Sequence, residues 1–245
     1  MKIFIGIDDT DNLETRGTGH QARMLGQSLV AAGLFEMRSV TRHQLLVDRR
    51  IPFTSHNSSA CLAGVCKSNL DELIGHSKEF LIRESAFDAD AGLCVALQED
   101  VTPAIMAFGN RAKREIVSME DALGLTMNTT IFLDGFLNTR LGLIGSLAAV
   151  GLRAGGNDGR LLWTRNLRET TGTFTINELL RTVDIDRVIG MNHETIDSSA
   201  SISITEWCRP VMIDGKISLI AEKTDKNEPY AYQSASKDYI KGISE

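Results

Sequence analysis

Residues 2–12 read KIFIGIDDTDN. The run 2–7 is apolar on both faces, as an interior strand requires, and it ends in three acids, Asp8, Asp9 and Asp11, grouped around Thr10. Carboxylates so closely spaced repel one another, so the fold must supply water, hydrogen-bond donors or a cation there. Two readings are open. Asp, Thr and Asn all favour turns and caps, so DDTDN reads as a turn leaving a strand. Hard carboxylate oxygens at a strand end equally suit Mg²⁺, which takes one or two protein carboxylates and completes its shell with water and phosphate oxygens. A third carboxylate can then orient or deprotonate an attacking group.

Outward from this stretch, Thr18 and Gln21 match a T-x-x-Q capping box. Ala22, Leu25 and Leu29 make an apolar stripe, and Gly33 suits a helix stop. Residues 39–47 predict a strand that leads into the polar loop RRIPFTSHNSSA (49–60), and Asn69 with Glu72 opens another helix. GLCVAL (92–97) reads as a second buried strand. Thr102-Pro103 opens a helix running to about Ile116, and Ser118 with Asp121 opens a short one. GLIGSLAAVG (142–151) is a helix of small residues, so something packs closely against it. Strands at 160–165 and 199–207, a helix capped by Thr175 and Glu178, and a hairpin turning at Asp214-Gly215 follow. From Thr224 onward the chain is polar and aperiodic and reads as a loosely held tail. The pattern predicts an α+β fold with mixed or antiparallel sheets and a boundary near residues 99–102.

Net charge is −6 over 245 residues, which gives no global attraction to phosphate backbones. No apolar run approaches the ~20 residues that span a bilayer, and the N-terminus has no signal-peptide pattern, so no membrane partner is expected and the cytoplasm is the expected location. Cys61, Cys66, Cys94 and Cys208 form no C-x-x-C pair, and reduced thiols rather than a zinc site are expected.

Anion-binding candidates lie at two predicted helix starts. Gly17 and Gly19 let a ligand approach the backbone beside Thr18, and His20 is placed to contact the same ligand. Gly142 and Gly145 open a helix after Arg140. That segment is no Walker A loop, lacking its Lys-Ser/Thr ending, and its glycines equally suit tight packing. The loop holding Thr54, Ser55, His56 and Asn57 can hydrogen-bond a base, sugar or phosphate, or simply be a polar loop.

IGIDDTD, followed shortly by a Thr opening a helix, resembles the N-terminus of the archaeal tRNA(isoleucine) 2-agmatinylcytidine synthetase (TiaS) family. These enzymes use ATP to attach agmatine to a cytidine of a tRNA anticodon. Four further segments are similar in the same order: IPFTSHNSSACL (51–62), DADAGLCVAL (88–97), TRLGLIGSLAAVG (139–151) and DGRLLWTR (158–165). The resemblance implies an N-terminal kinase-like domain over 1–100 that binds ATP and Mg²⁺, a ferredoxin-like domain over 101–223, and a polar tail over 224–245. It implies that Asp8, Asp9 and Asp11 hold the metal and nucleotide, and more loosely that Thr18 accepts phosphate.

Departures from the family pattern accompany the match. Its Cys-Thr-Thr cluster is GTGH here (17–20), and the 51–62 loop loses its Lys and Arg and keeps only Asn57. The family's Arg falls on Leu141, with Arg140 displaced by one position. The chain also stops where the family's nucleic-acid-binding domain and zinc ribbon would begin, so tRNA or DNA is not expected as a partner. The expectation is an ATP- and Mg²⁺-dependent phosphotransferase or ligase-like enzyme. Asp8, Asp9, Asp11 and Thr18 are its catalytic group. Gly17, Gly19, His20, Asn57, Arg140, Gly142 and Gly145 embrace the nucleotide, and the acceptor is a small molecule for which an amine is the candidate. The alternative is a non-catalytic nucleotide-sensing or nucleic-acid-associated module.

Overall fold

A computed structural model describes residues 1–54, 56–225 and 227–244. Ser55 of the polar loop, Lys226 and Glu245 lie outside the described residues. The chain is α+β and divides into two compact units, residues 1–155 and 156–245. This is a correction to the boundary near 99–102. The acids there close only a 3-10 turn, Gln98–Asp100, and the helices that follow pack back onto the first sheet.

Unit 1 runs β1 (Lys2–Asp8), α1 (Thr18–Ala31), β2 (Phe35–Gln44), β3 (Ser58–Cys66), α2 (Leu70–Glu84) and β4 (Gly92–Leu97). It continues with α3 (Pro103–Ala112), α4 (Met119–Thr126), β5 (Phe132–Gly135) and α5 (Gly142–Gly155). Its sheet is antiparallel throughout, in the order β5-β4-β1-β3-β2. β1 is central and buried from Ile3 to Ile7, which is why its sequence is apolar on both faces. Phe4 joins the core shared with Ile105, Phe108, Leu143 and Leu147 of α3 and α5. Next along that face, a Cβ on Gly6 would lie 2.1 Å from the Ser146 carbonyl oxygen, so glycine is what lets α5 rest on the strand.

In unit 1, local cap signals are realised at three helices. Asn69 accepts from the Glu72 amide (2.7 Å), Thr102 accepts from Ile105, and Ser118 with Asp121 forms a capping box. α1 differs, because Gly17 occupies its N-cap and Thr18 is its first residue, so the Thr18–Gln21 box is not formed.

Unit 2 runs β6 (Arg160–Thr164), β7 (Gly172–Thr175), α6 (Ile176–Thr182), β8 (Arg187–Gly190), β9 (Ser201–Ile204), β10 (Val211–Ile213), β11 (Lys216–Lys223), β12 (Tyr232–Ser234) and α7 (Lys237–Ser244). The order is β6-β10-β11-β12-β9-β7, with β8 beside β11. The β8–β11 and β12–β9 pairs are parallel and the others antiparallel, so this sheet is mixed. The Asp214-Gly215 turn closes the β10–β11 hairpin with both residues left-handed, as a two-residue turn requires. The expected loose tail is instead structured: β12 pairs with β11 and β9, and α7 buries Ile240 against Ile189, Val211 and Ile220. Among the described residues no helix is long and apolar enough to cross a membrane, and the four cysteines are buried free thiols.

Candidate functional site

β1 carries Asp8 to the sheet edge, and the chain then turns through Asp9, whose φ is 50°. A left-handed backbone at a non-glycine residue is strained and recurs at ligand sites. Asp11 folds back onto α1, where one of its carboxylate oxygens accepts both the Thr18 amide and the Thr18 hydroxyl, each at 2.8 Å. The negative group thus sits at the positive end of α1 and does the capping that Thr18 was expected to do. The Thr18 oxygen accepts in turn from the Thr10 amide (3.4 Å) and hydroxyl (3.2 Å). Thr18 is only 6% exposed and its hydroxyl is saturated, which makes it a strut of the turn. A phosphate acceptor needs that oxygen turned outward.

The opposite wall is α5 and the segments feeding it. A Cβ on Gly145 would lie 1.7 Å from a carboxylate oxygen of Asp8, so the acid is seated against bare helix backbone. A Cβ on Gly142 would likewise lie 2.3 Å from the Asp90 carbonyl oxygen, 2.7 Å from the Gly92 amide nitrogen and 2.9 Å from the Asp8 carbonyl oxygen. The first amides of α5 are spent internally: Gly142 donates to Asp90 (2.9 Å), Leu143 to Arg140 (3.3 Å) and Ile144 to Leu141 (3.0 Å). Of the two readings of these glycines, the structure takes tight packing rather than an open anion cradle.

Residues 137–140 cross this wall with Leu137, Asn138 and Arg140 all at positive φ. Two acids hold the crossing. The Asp90 carboxylate accepts the Thr139 amide at 2.6 Å and its hydroxyl, while Asp134 pairs with Arg140, whose Nε also donates to the Gly135 carbonyl at 2.9 Å. Arg140 is therefore tied to β5.

Electrostatically the turn is strained by unbalanced negative charge. Burial pushes the Asp8 carboxyl well above the usual carboxylate range, and the neighbouring Asp9 adds to the rise. Asp9 is pushed up to about 6, first by burial and then by the charges of Asp90, Asp11 and Asp88. Asp11, Asp88 and Asp90 have donors: Thr18, the Asn12 side-chain amide (2.8 Å) and Thr139. Among the described residues no side-chain donor reaches Asp8 or Asp9. Of the three acids expected to hold a metal, Asp11 spends one carboxylate oxygen on α1. Among the described residues no group of three or more His, Cys, Asp or Glu is arranged to hold a metal. What the structure brings together is the pair Asp8 and Asp9.

The remaining expected residues fall at varied distances from chemistry. Gly17 is exposed at the start of α1 and Gly19 lies in its first turn. His20 is half-buried, with Nδ1 3.4 Å from Arg23. Burial, then Arg16 and Arg23, lower its pKa, so the α1 start carries a small basic face. Asn57 spends its side-chain amide on the Leu46 carbonyl (2.7 Å), closing the 45–57 loop, while Thr54 donates to the Asp11 carbonyl (3.1 Å) and brings that loop to the turn. Sequence reasoning missed Arg16, Arg23, Asp88, Asp90 and Asp134. The acid-rich DADAG at 88–92 was the available signal for two of them.

No family model matches the chain. An uncharacterized protein of Methanocaldococcus jannaschii is 26% identical over 159 residues, covering 62% of this chain and 50% of that protein. The crystal structure of apo TiaS, an agmatidine synthetase for an isoleucine tRNA, aligns with a TM-score of 0.54 at 22% identity over 62% of this chain and 35% of that one. TiaS in complex with that tRNA, AMPCPP and agmatine aligns with a TM-score of 0.56 at 18% identity over 99% of this chain and 55% of that one. The fold is that of TiaS domains, as the resemblance implies. The chain spans about half the length of the curated relative and 35–55% of these solved structures.

Proposed function

We propose that this protein binds ATP together with a divalent cation at the turn after β1, and transfers a phosphoryl or adenylyl group to a small-molecule acceptor, an amine being the candidate. One observation carries the reading: Asp8, seated on the bare α5 backbone at Gly145, and Asp9 follow one another at the end of the central strand with no side-chain donor on either among the described residues. Two hard carboxylates without side-chain donors fit Mg²⁺, which rarely needs more than two from the protein. The bound ion would bridge phosphate oxygens and neutralise charge there. Asp8 and Asp9 would hold it, and Asp11 and Thr18 would fix the turn and the α1 start. Arg16, His20 and Arg23 would face the phosphates from the first turns of α1. The TiaS fold supports the ATP part, since TiaS is solved with AMPCPP, an ATP analogue, and agmatine.

A second reading, a nucleotide sensor without turnover, is favoured by the saturated Thr18 hydroxyl and by the commitment of Arg140 to Asp134. Isothermal titration with MgATP, repeated with EDTA and with Asp8→Asn, tests both. The proposal expects heat that vanishes in EDTA and in the variant. No heat with the native protein refutes both readings, and binding without phosphate or pyrophosphate release across a panel of amines selects the sensor.

A further inference from the structure

The two most exposed large apolar side chains among the described residues are Phe87, at 86%, and Leu13, at 85%. They are far apart in sequence, yet they occupy equivalent places on two turns that are laced together. Leu13 is the second residue of a turn closed by the Thr15 amide on the Asn12 carbonyl (3.3 Å). Phe87 is the second residue of a turn closed by the Ala89 amide on the Ala86 carbonyl (3.0 Å). The Ala86 amide donates to the Thr10 carbonyl (3.1 Å), and the Asn12 side chain donates to Asp88 (2.8 Å). The first turn follows Asp9 and Asp11 directly, and Asp88 in the second acts on the charge of Asp9. The Phe87 carbonyl also accepts from Asn138 (3.4 Å), which anchors the second turn to the α5 wall.

A phenylalanine and a leucine held at turn tips gain nothing from burial within the chain, and the lacing joins their two turns beside the Asp8–Asp9 turn. A ligand that satisfies both features has a polyanionic end, held through a cation at the acids, and a flat apolar end. We infer that Phe87 and Leu13 form the platform on which the purine ring of the nucleotide stacks, an assignment that rests on the nucleotide reading proposed above. Stacking on a π-face tolerates any base, so this platform supplies affinity without selecting adenine over guanine. The charge of the acids matters to the triphosphate end alone, which separates the two contributions experimentally.

The test is titration of MgATP, MgGTP and the magnesium complex of inorganic triphosphate into the full chain and into Phe87→Ser and Leu13→Ser. Both side chains are almost wholly in solvent, and an unchanged unfolding transition checks that the variants are intact. In Phe87→Ser the expected loss is roughly 5- to 150-fold for both nucleotides, the effect of removing one base–aromatic stack. A smaller loss is expected in Leu13→Ser, and no change for inorganic triphosphate in either. Nucleotide affinity unchanged in Phe87→Ser overturns the inference and leaves the pair as a contact for a macromolecule. An equal loss for inorganic triphosphate overturns it too, because the ring then acts on the polyanion end. If the native chain binds none of the three, the nucleotide reading itself has failed.

Discussion

Gly145→Ala puts a methyl carbon 1.7 Å from a carboxylate oxygen of Asp8, 2.5 Å from its carboxyl carbon and 3.0 Å from its Cβ. The first two contacts are far inside contact distance and lie on a side chain buried against α5, so the carboxylate, α5 or β1 has to shift, whereas the third needs only a few tenths of an ångström of give. Overpacking of this kind costs about 1–3 kcal/mol, against a gain of about 0.5–1 kcal/mol from replacing a helical glycine. A net loss of roughly 1–2 kcal/mol is expected. Asp8→Ala removes the two closest atoms, so in that background Gly145→Ala should be neutral or stabilising, a coupling of about 1–2 kcal/mol. Gly75→Ala in α2, where nothing lies within 4 Å of the new carbon, serves as the same substitution without the clash and should stabilise by about 0.4–1 kcal/mol. Urea unfolding of the four members of the cycle, with the Gly75 variant alongside, gives each value. Additivity within about 0.5 kcal/mol would refute the seating of Asp8 on the α5 backbone.

Asp8 and Asp9 bind protons more readily folded than unfolded, so their contribution is most favourable below about pH 4 and is lost as pH rises toward 6, through the raised value of Asp9. Asp9→Asn should therefore gain about 1–2 kcal/mol at pH 7, after discounting for partial exposure, and nothing near pH 4, as read from denaturation midpoints at the two pH values. Millimolar Mg²⁺ should raise the pH 7 midpoint of the native chain and leave that of Asp8→Asn in place, by thermal unfolding. Asp11→Ala should cost about 1–2 kcal/mol through the lost α1 cap, and Asp11→Asn about half of that, measured by urea titration. Asn69→Ala, a cap remote from the site, should cost about 1 kcal/mol without altering nucleotide titration.

Local chemistry made much of this molecule legible. The caps at Asn69, Thr102, Ser118 and Thr175 and the Asp214-Gly215 hairpin each depend on partners within a few residues, and each forms as read. The failures share a cause. Thr18 and Gln21 spell a capping box, but Asp11, seven residues earlier, offers a full charge to the same helix end and prevails. The acids at 99–102 look like a boundary, yet α3 and α5 bury Ile105, Phe108, Leu143 and Leu147 in the core that contains Phe4. Residues 224–244 look polar because β12 and α7 need only a few apolar contacts, such as Ile240, once β11 supplies a pairing edge. At the site, the acidic turn was visible as a string of letters. Its α5 wall was not, since nothing near Asp8 in sequence says that Gly145 will lie beneath it.

The seating of Gly6 under Ser146 has a consequence for biosynthesis. About 140 residues separate these two positions, which at 5–20 residues per second is roughly 7–28 s of ribosome time. Until α5 emerges, one side of the nascent sheet, Phe4 from the start and Ala96 once β4 is made, has no lid. A chaperone that shields nascent apolar surface should therefore matter most for this protein between emergence of β4 and emergence of α5, and ribosomes stalled in that window should yield chains that proteases digest readily.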